Sequence, residues 1–369
     1  MLIPQTPNQR VIAKFVKNKT ALFSLLLIIF ISLVSLFAYQ IAPDSSPDAN
    51  LQTPSIAMQN PGFKMQFLKL KIDKPAEASF LSNFFLGKAL DYKLIPILNA
   101  KAANAENVIV EEFKGEGFPI IVYEIQKELL FESENLEKNI VSKTFFLGTD
   151  NQGRDVFSRL IIGSRVSLIV GFIAVIISSF LGIFIGSIAG FFRGFTDKVI
   201  MWQMSVFWSI PTLLLSMALY ISLKDFFNSS FIIIFIAIGL TMWVSMARMV
   251  RGQILGVREI QFVEAANSLG YSNFRIIFKH ILPNIMGPII VVAASDFANA
   301  ILIEAGLSFL GLGVQPPTPS WGAMLNEYKD FIGTNLSYLA LLPGFLVMVL
   351  VLSFNLAGNG LRDALDNKN

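Results

Sequence analysis

Six stretches of this sequence stay apolar for as long as a helix needs to cross a bilayer, about 20 residues each. They lie at about 20–41, 166–192, 200–222, 230–249, 284–306 and 335–357. Inside hydrocarbon a segment must satisfy its own backbone N–H and C=O groups, so each stretch is expected as a helix. The composition agrees: 54% of the 369 residues are hydrophobic and 15% charged, against about 25% charged in soluble domains. The expected fold class is an all-α polytopic membrane protein. In the second stretch Gly171, Gly182, Gly186 and Gly190 recur at close to helical spacing, which lets a neighbouring helix approach closely. Pro211 interrupts the third and is expected to kink it, with neighbours covering the freed carbonyl.

Basic residues set the orientation. Arg10, Lys14, Lys17 and Lys19 precede the first span, Arg193 and Lys198 follow the second, and Arg248, Arg251, Arg258, Arg275 and Lys279 follow the fourth. With six spans these groups share one side, which the positive-inside tendency makes cytoplasmic, with both termini there. Arg154, Arg159 and Arg165 break the rule; their loop is long, and Asp150 and Asp155 are expected to offset them locally. The basic start and the apolar run 21–38 have the outline of a signal peptide. A run of about 18 apolar residues with no clear small-x-small cleavage site points instead to a retained helix. Asn8 to Lys19 places Val11, Ile12, Phe15 and Val16 on one helical face. This is either an amphipathic helix lying on anionic lipid or a frayed basic tail.

Several kinds of chemistry are excluded. There is no cysteine and His280 is the one histidine, so thiol catalysis, His-rich metal clusters and Ser-His-Asp triads cannot be built. A phosphate loop is absent: at its nearest echo, Gly87-Lys88, Ser82 stands at the first glycine position and Ala89 follows the lysine. No ATP hydrolysis, catalytic residue or metal site is therefore expected on this chain. The net charge of +3 is too small to suggest nucleic acid.

The connection 42–165 is long enough to fold by itself in part. Residues 43–63 are turn-rich and read as an irregular linker. Leu68, Leu70 and Ile72 alternate with Lys69 and Lys71, a half-buried strand pattern. Val108 to Glu112 and Pro119 to Ile125 are further strand candidates, and Leu81 to Leu98 and Gln126 to Lys138 are candidate helices. A small α+β domain at about 64–143 is expected on the extracytoplasmic side.

Three segments stand out. The first runs from Trp243 to Pro283 and contains Phe262-Val-Glu-Ala-Ala-Asn-Ser-Leu-Gly270. It predicts two short helices across the membrane surface, hinged at Gly270, with Pro283 near the start of the next helix. Ala265 and Ala266 leave room for a neighbour. Arg248 and Arg251 are placed to meet headgroups or a partner. The second, Gly148-Thr-Asp-Asn-Gln-Gly-Arg-Asp155, lies before the second span, where its acids can accept from free helix N–H groups. The third, Ala300 to Gly322, is rich in glycine and proline and suggests an irregular re-entry, with Trp321 suited to the membrane–water interface.

In their order along the chain the three segments resemble the ABC importer permeases of binding-protein-dependent transport, in the dipeptide and oligopeptide branch and of its second permease subunit type. The likeness is close over 144–366 and loose over 1–45, while 64–143 exceeds what the family leads one to expect. It implies six transmembrane helices of the type I importer permease kind, here with an extracytoplasmic α+β insertion between helices 1 and 2. The resulting organisation is a cytoplasmic amphipathic segment 1–19, a first helix 20–41, an extracytoplasmic loop 42–165, a permease core 166–357 with coupling loop 250–283, and a cytoplasmic tail 358–369. The resemblance further implies that Glu264, Ala265, Ala266 and Gly270, with Arg275, dock on an ATPase subunit, which carries the ATP and Mg. The implied partners are a homologous second permease, two ATPase subunits, an extracytoplasmic solute-binding protein and membrane lipid, in a bacterial inner membrane.

Asp296, Asn299 and Glu304 fall in or near the fifth span. An acid in hydrocarbon is costly unless it faces water or a partner. These residues either line the translocation path, where an acid meets a peptide ammonium, or bond to a neighbouring subunit. His280 is expected to be structural. The cargo is read as a di- or oligopeptide, with nickel or a metal chelate on the same machinery as the alternative. Two other classes stay open: a membrane-anchored sensor or assembly factor working through the insertion, and a secondary transporter driven by an ion gradient.

Overall fold

The computed structural model describes residues 7–72, 79–104, 106–132, 135–227 and 229–366. α1 (Pro7–Lys17) leads into α2 (Lys19–Leu36), where the Asn18 side chain accepts from the Ala21 N–H at 3.2 Å. α1 packs against α2 and the last helix of the chain, so a helix and not a frayed tail is observed; Ile12 and Val16 stay exposed on it. α3 (Ala38–Ile41) and an irregular stretch with two 3₁₀ turns carry the chain to a sheet.

The sheet holds β1 (Phe63–Lys71), then α4 (Phe80–Leu86), β2 (Tyr92–Ala102), β3 (Asn107–Glu112), β4 (Ile121–Gln126), α5 (Leu136–Asn139) and β5 (Ile140–Phe145). Its order is β4-β3-β2-β1-β5, antiparallel throughout. Alternate residues of β1 feed opposite faces: Met65 and Phe67 join Ile56, Leu94 and Phe145, while Leu68 joins Ile97, Val108, Val110 and Leu130. Ile72, expected in this strand, lies just beyond it and is exposed.

Two expected helices are corrected. Leu81–Leu98 is helical only as far as Leu86; Pro96 would break a helix, and Tyr92 to Ile97 pair with β1 instead. Gln126–Lys138 gives only a 3₁₀ turn at Lys127–Leu129 and the start of α5. There the backbone is drawn away by the Lys127 N–H bond to the Glu106 carbonyl and the Phe131 N–H bond to the Lys69 carbonyl.

The membrane part follows: α6 (Val156–Phe192), α7 (Gly194–Ser209), α8 (Thr212–Leu223), α9 (Ser230–Val257), α10 (Gln261–Ser268) and α11 (Asn273–Arg275). A π-helical turn Ile276–Ile281 and a 3₁₀ turn Leu282–Ile285 join α11 to α12 (Met286–Phe309), followed by α13 (Trp321–Tyr328) and α14 (Tyr338–Leu365). Among the described residues five helical stretches are long and apolar enough to cross a membrane: α2, α6, α9, Asn273–Phe309 and α14. α7 and α8 make a sixth only if taken as one span, because they meet at 94° around Pro211. The proline thus breaks the helix outright. α6 starts ten residues before the expected 166, α9 runs on to Val257, and α14 continues to Leu365 through most of the expected tail.

α6 and α9 form the most extensive helix pair. A Cβ on Gly182 would fall 2.5 Å from the Met246 Cβ, and one on Gly186 2.5 Å from the Ala247 carbonyl oxygen. One on Gly190 would meet the Arg251 carbonyl oxygen at 2.9 Å. From the other side Gly239 of α9 receives Ile177. Gly171 serves a different neighbour, Phe297 and Ile301 of α12. Gly182→Leu is therefore expected to destabilise the protein in detergent by about 1–3 kcal/mol, read as a lowered unfolding temperature. Gly252→Ala on the partner helix α9, where a Cβ meets nothing within 4 Å, is expected to be neutral or stabilising by up to about 1 kcal/mol.

Candidate functional site

At the sheet end of α6 a turn organises three buried charges, Asp150, Arg154 and Arg159, and the half-buried Glu327. Asp150 Oδ1 accepts the N–H groups of Gln152 and Arg154, at 2.9 and 3.0 Å. Its Oδ2 accepts from Arg154 Nε at 2.6 Å and from the Tyr328 hydroxyl at 3.0 Å. Glu327 of α13 takes the far side of both arginines: Arg154, and Arg159 at 3.2 Å. Burial pushes the Tyr328 phenol up, so it stays a donor to Asp150. Two acids and two bases close the set, so the charges of Arg154 and Arg159 are balanced locally. Asp155, expected to share in that offset, instead caps α6 by accepting from the N–H and hydroxyl of Ser158. Gly148 and Gly153 both have φ of +72°, and a Cβ on Gly153 would strike the Thr53 carbonyl, so the turn is locked onto the linker. This segment is an anchor.

A second cluster surrounds Glu304, which is fully buried. Ser308 and Ser320 donate to its Oε1 at 2.8 Å each, and Ser167 lies 3.4 Å from Oε2. Ser320 also caps α13, accepting from the Ala323 N–H at 3.0 Å. Glu304 thus ties α12, α6 and the start of α13 together inside one chain. The expectation that it lines a path or bonds to another subunit is corrected. Trp321 is corrected too: it is buried, its indole N–H donating to the Leu160 carbonyl at 2.9 Å. The irregular segment Leu310 to Ser320 folds the chain inward before α13, and this carries the indole away from any lipid interface.

Asp296 is in a different place. It sits about 12 Å from Glu304 along α12 and lines a cavity of about 500 Å³ with Asn299. Phe207, Trp208, Pro211 and Thr212 from the break between α7 and α8, and Thr241 and Ser245 from α9, complete the wall. Asp296 is 3% exposed, and its Oδ2 has no hydrogen-bond partner among the described residues. The first turn of α8, with its unpaired N–H groups, opens onto the same space. Among the described residues no three of His, Cys, Asp and Glu converge as a metal set would require.

The third surface lies at the opposite end. Val263 and Ala266 of α10 are buried against Met246, Val250, Ile254, Ile276 and Ile281. Glu264, Ala265, Leu269 and Gly270 point outward. Ala266 is therefore removed from the expected docking set, since it holds α10 down. Gly270 has φ +75°; its N–H reaches the Asn267 carbonyl at 2.9 Å and the Tyr271 N–H reaches the Ala266 carbonyl at 3.2 Å, a Schellman ending. Arg275 stacks on Tyr271 at 4.3 Å and Tyr271 on His280 at 5.7 Å, leaving Phe274 and Phe278 exposed beside them. Arg251 is bound by Asp197 in a fork at 2.5 and 2.7 Å, and Arg248 lies over the Trp208 ring at 4.1 Å, so both are engaged within the chain. Arg193 pairs with Glu259 at 2.5 Å.

Residues 182–369 match the family described as binding-protein-dependent transport system inner membrane component. The chain belongs to that family. Residues 6–54 match a second description, the N-terminal TM domain of oligopeptide transport permease C. The oligopeptide transport system permease protein OppC of Escherichia coli (strain K12) is 45% identical over 223 residues, covering 60% of this chain and 72% of that protein. The dipeptide transport system permease protein DppC of Alkalihalophilus pseudofirmus is 42% identical over 227 residues, covering 62% and 73%. The glutathione transport system permease protein GsiD of Pectobacterium atrosepticum is 37% identical over 227 residues, covering 62% and 74%. The chain is thus a multi-pass inner-membrane permease, and its relatives are transport subunits.

Within the permease, sequence reasoning missed Glu327, Tyr328 and the three serines around Glu304. No motif marks them: Ser308 lies four residues from Glu304 and Ser320 sixteen, while Ser167 meets it across 137 residues and Tyr328 meets Asp150 across 178. Glu304→Leu is expected to lower stability by about 2 kcal/mol or more, because it strands buried hydroxyl donors, read as a lowered unfolding temperature. Asp150→Ala is expected to cost about 3–5 kcal/mol, the scale for breaking a buried ion pair, by the same measurement.

Proposed function

We propose that this chain is a permease subunit of an ATP-driven importer of di- or oligopeptides. It forms half of the translocation path and couples to a separate ATPase through α10 and the turn after it. The names of its relatives support the peptide cargo. The division of α10 carries the coupling reading: one face, Val263 and Ala266, is buried, and the other presents Glu264, Ala265 and Gly270. The α10 end is then cytoplasmic, with both termini, and the sheet of residues 63–145 lies outside, where a solute-binding protein delivers cargo. A homologous second permease supplies the other half of the path, and two ATPase subunits carry ATP and Mg.

In this reading the Asp296 cavity is this chain's share of the path. Its carboxylate meets the peptide ammonium, Asn299 and Thr241 offer hydrogen bonds, and Phe207 and Trp208 take apolar side chains. Nucleotide-driven closure of the ATPases moves α10, and the helices continuous with it open the cavity to the inside. Such coupling requires that the two states of the permease bind the ATPase differently.

Uptake of radiolabelled peptide by the assembled transporter tests the reading. Glu264→Arg is expected to abolish uptake and ATPase retention in a pull-down while the chain stays inserted. Gly270→Val places a β-branched residue at φ +75°; it is expected to leave the helices inserted yet uncouple ATP hydrolysis from uptake. Asp296→Ala is expected to lower uptake at least tenfold with the ATPase still bound. Peptide uptake by the reconstituted permeases without any ATPase would overturn the assignment.

A further inference from the structure

Arg165 is a buried cation that the ion pairs of the fold leave out. It is 8% exposed, and among the described residues no carboxylate lies within ion-pair distance of it. Its Nη1 donates to the Phe85 carbonyl at 2.7 Å, and its guanidinium faces the rings of Tyr39 at 5.4 Å and Phe85 at 5.2 Å. Rings hold a guanidinium without neutralising it. One of its five N–H donors is spent on Phe85, and a fixed fork of donors matches phosphate.

Its position gives that fork a partner. Arg165 is the last charged residue before the apolar run of α6, and α2 ends at the same level with Leu36. From Arg165 an open apolar cavity of about 490 Å³ runs between the helices, lined by Ser32, Leu36, Phe85, Ile169, Phe172 and Phe354. Phe354 stacks on Phe297 at 4.1 Å and closes its floor. Along α6 the cavity descends seven residues, from Arg165 to Phe172, about 10 Å. α4 forms the lip, its Phe84 edge-on to Phe37 at 6.0 Å. A lone guanidinium at the edge of an apolar slot fits one molecule, with an anionic end and a hydrocarbon tail.

We infer that this groove is a phospholipid site, in which Arg165 holds the phosphate and an acyl chain fills the slot between α2, α6 and α14. The lipid would complete the contact between α4 and the span bundle, so the sheet domain would rest on the membrane part through a bound lipid as well as through protein. The inference does not depend on the cargo or on the ATPase.

The test uses the full chain, reconstituted in palmitoyl-oleoyl phosphatidylglycerol vesicles, extracted in mild detergent and weighed by native mass spectrometry. Wild type is expected to retain one phospholipid per chain. Arg165→Lys keeps the charge and is expected to retain it. Arg165→Gln is expected to lose it at least tenfold. Ser32→Phe, which plugs the slot from an exposed position and leaves Arg165 and α4 untouched, is expected to lose it equally. Retention by Ser32→Phe at the wild-type level overturns the site, as does retention by a folded Arg165→Gln or absence of lipid from wild type. If Arg165→Gln does not fold, Ser32→Phe decides alone.

Discussion

The distance at which α9 can lie against α6 governs the rest of the permease. Lipid is as apolar as a leucine side chain, so burying apolar surface does not drive two spans together; close packing must. Glycines at 182, 186 and 190 remove the side chains that would hold α9 away, and the Met246, Ala247 and Arg251 positions come against bare backbone. With that seam set, α6 can act as a strut. It has 37 residues, about 55 Å, against a hydrocarbon core of about 30 Å. Its ends therefore stand outside the bilayer. One carries the Asp155 cap and Arg159; the other brings Arg193 to Glu259 and the Phe191 carbonyl to Arg258, beside α10. The anchor on one side and the α10 surface on the other are thus fixed to a single rod.

The charges at the sheet end show how such a rod is held. Buried ions are expensive singly and tolerable only when paired and hydrogen-bonded. Asp150 makes four bonds within its own turn and to Tyr328, and both arginines reach Glu327. The set joins the turn before α6 to α13, an element 170 residues later. Because every member needs the others, the turn and α13 have one mutual position. Arg165 stands one helical stretch below with no such set around it, and that contrast gives its apolar groove chemical meaning.

Legibility in the sequence followed the range of the interaction. Spans were readable because hydrophobicity acts locally, and the α6 glycines because a helix repeats every few residues. α10 and its Gly270 ending were readable for the same reason. Boundaries are not: α6 begins ten residues early because Asp155 caps it and Asp150 and Glu327 neutralise Arg159, and neither effect is visible in a hydropathy pattern. The start of β2 reads as helix or strand because its leucines and isoleucines suit either state; pairing with β1 and Pro96 decide it. Residue type alone points Trp321 to an interface, while its burial depends on the inward turn of Leu310 to Ser320. The motif groups Ala266 with Ala265, but one step of helix, about 100°, turns Ala266 into the core.

The two acids of α12 make the sharpest case. Both are acids in an apolar helix, and composition cannot separate them. Glu304 is surrounded by three serines that come from three different elements, so its cost is offset inside the chain and it has nothing left to offer. Asp296 has an oxygen without a partner and faces the space left where α7 and α8 break apart. A straight third span would have filled that space with side chains; the 94° bend keeps it open and turns the start of α8 toward it. That free oxygen leaves a bond for an incoming partner to complete. In the proposed cycle that partner is the cargo, so the same bend that makes room for a peptide also leaves unmade the bond that the peptide completes.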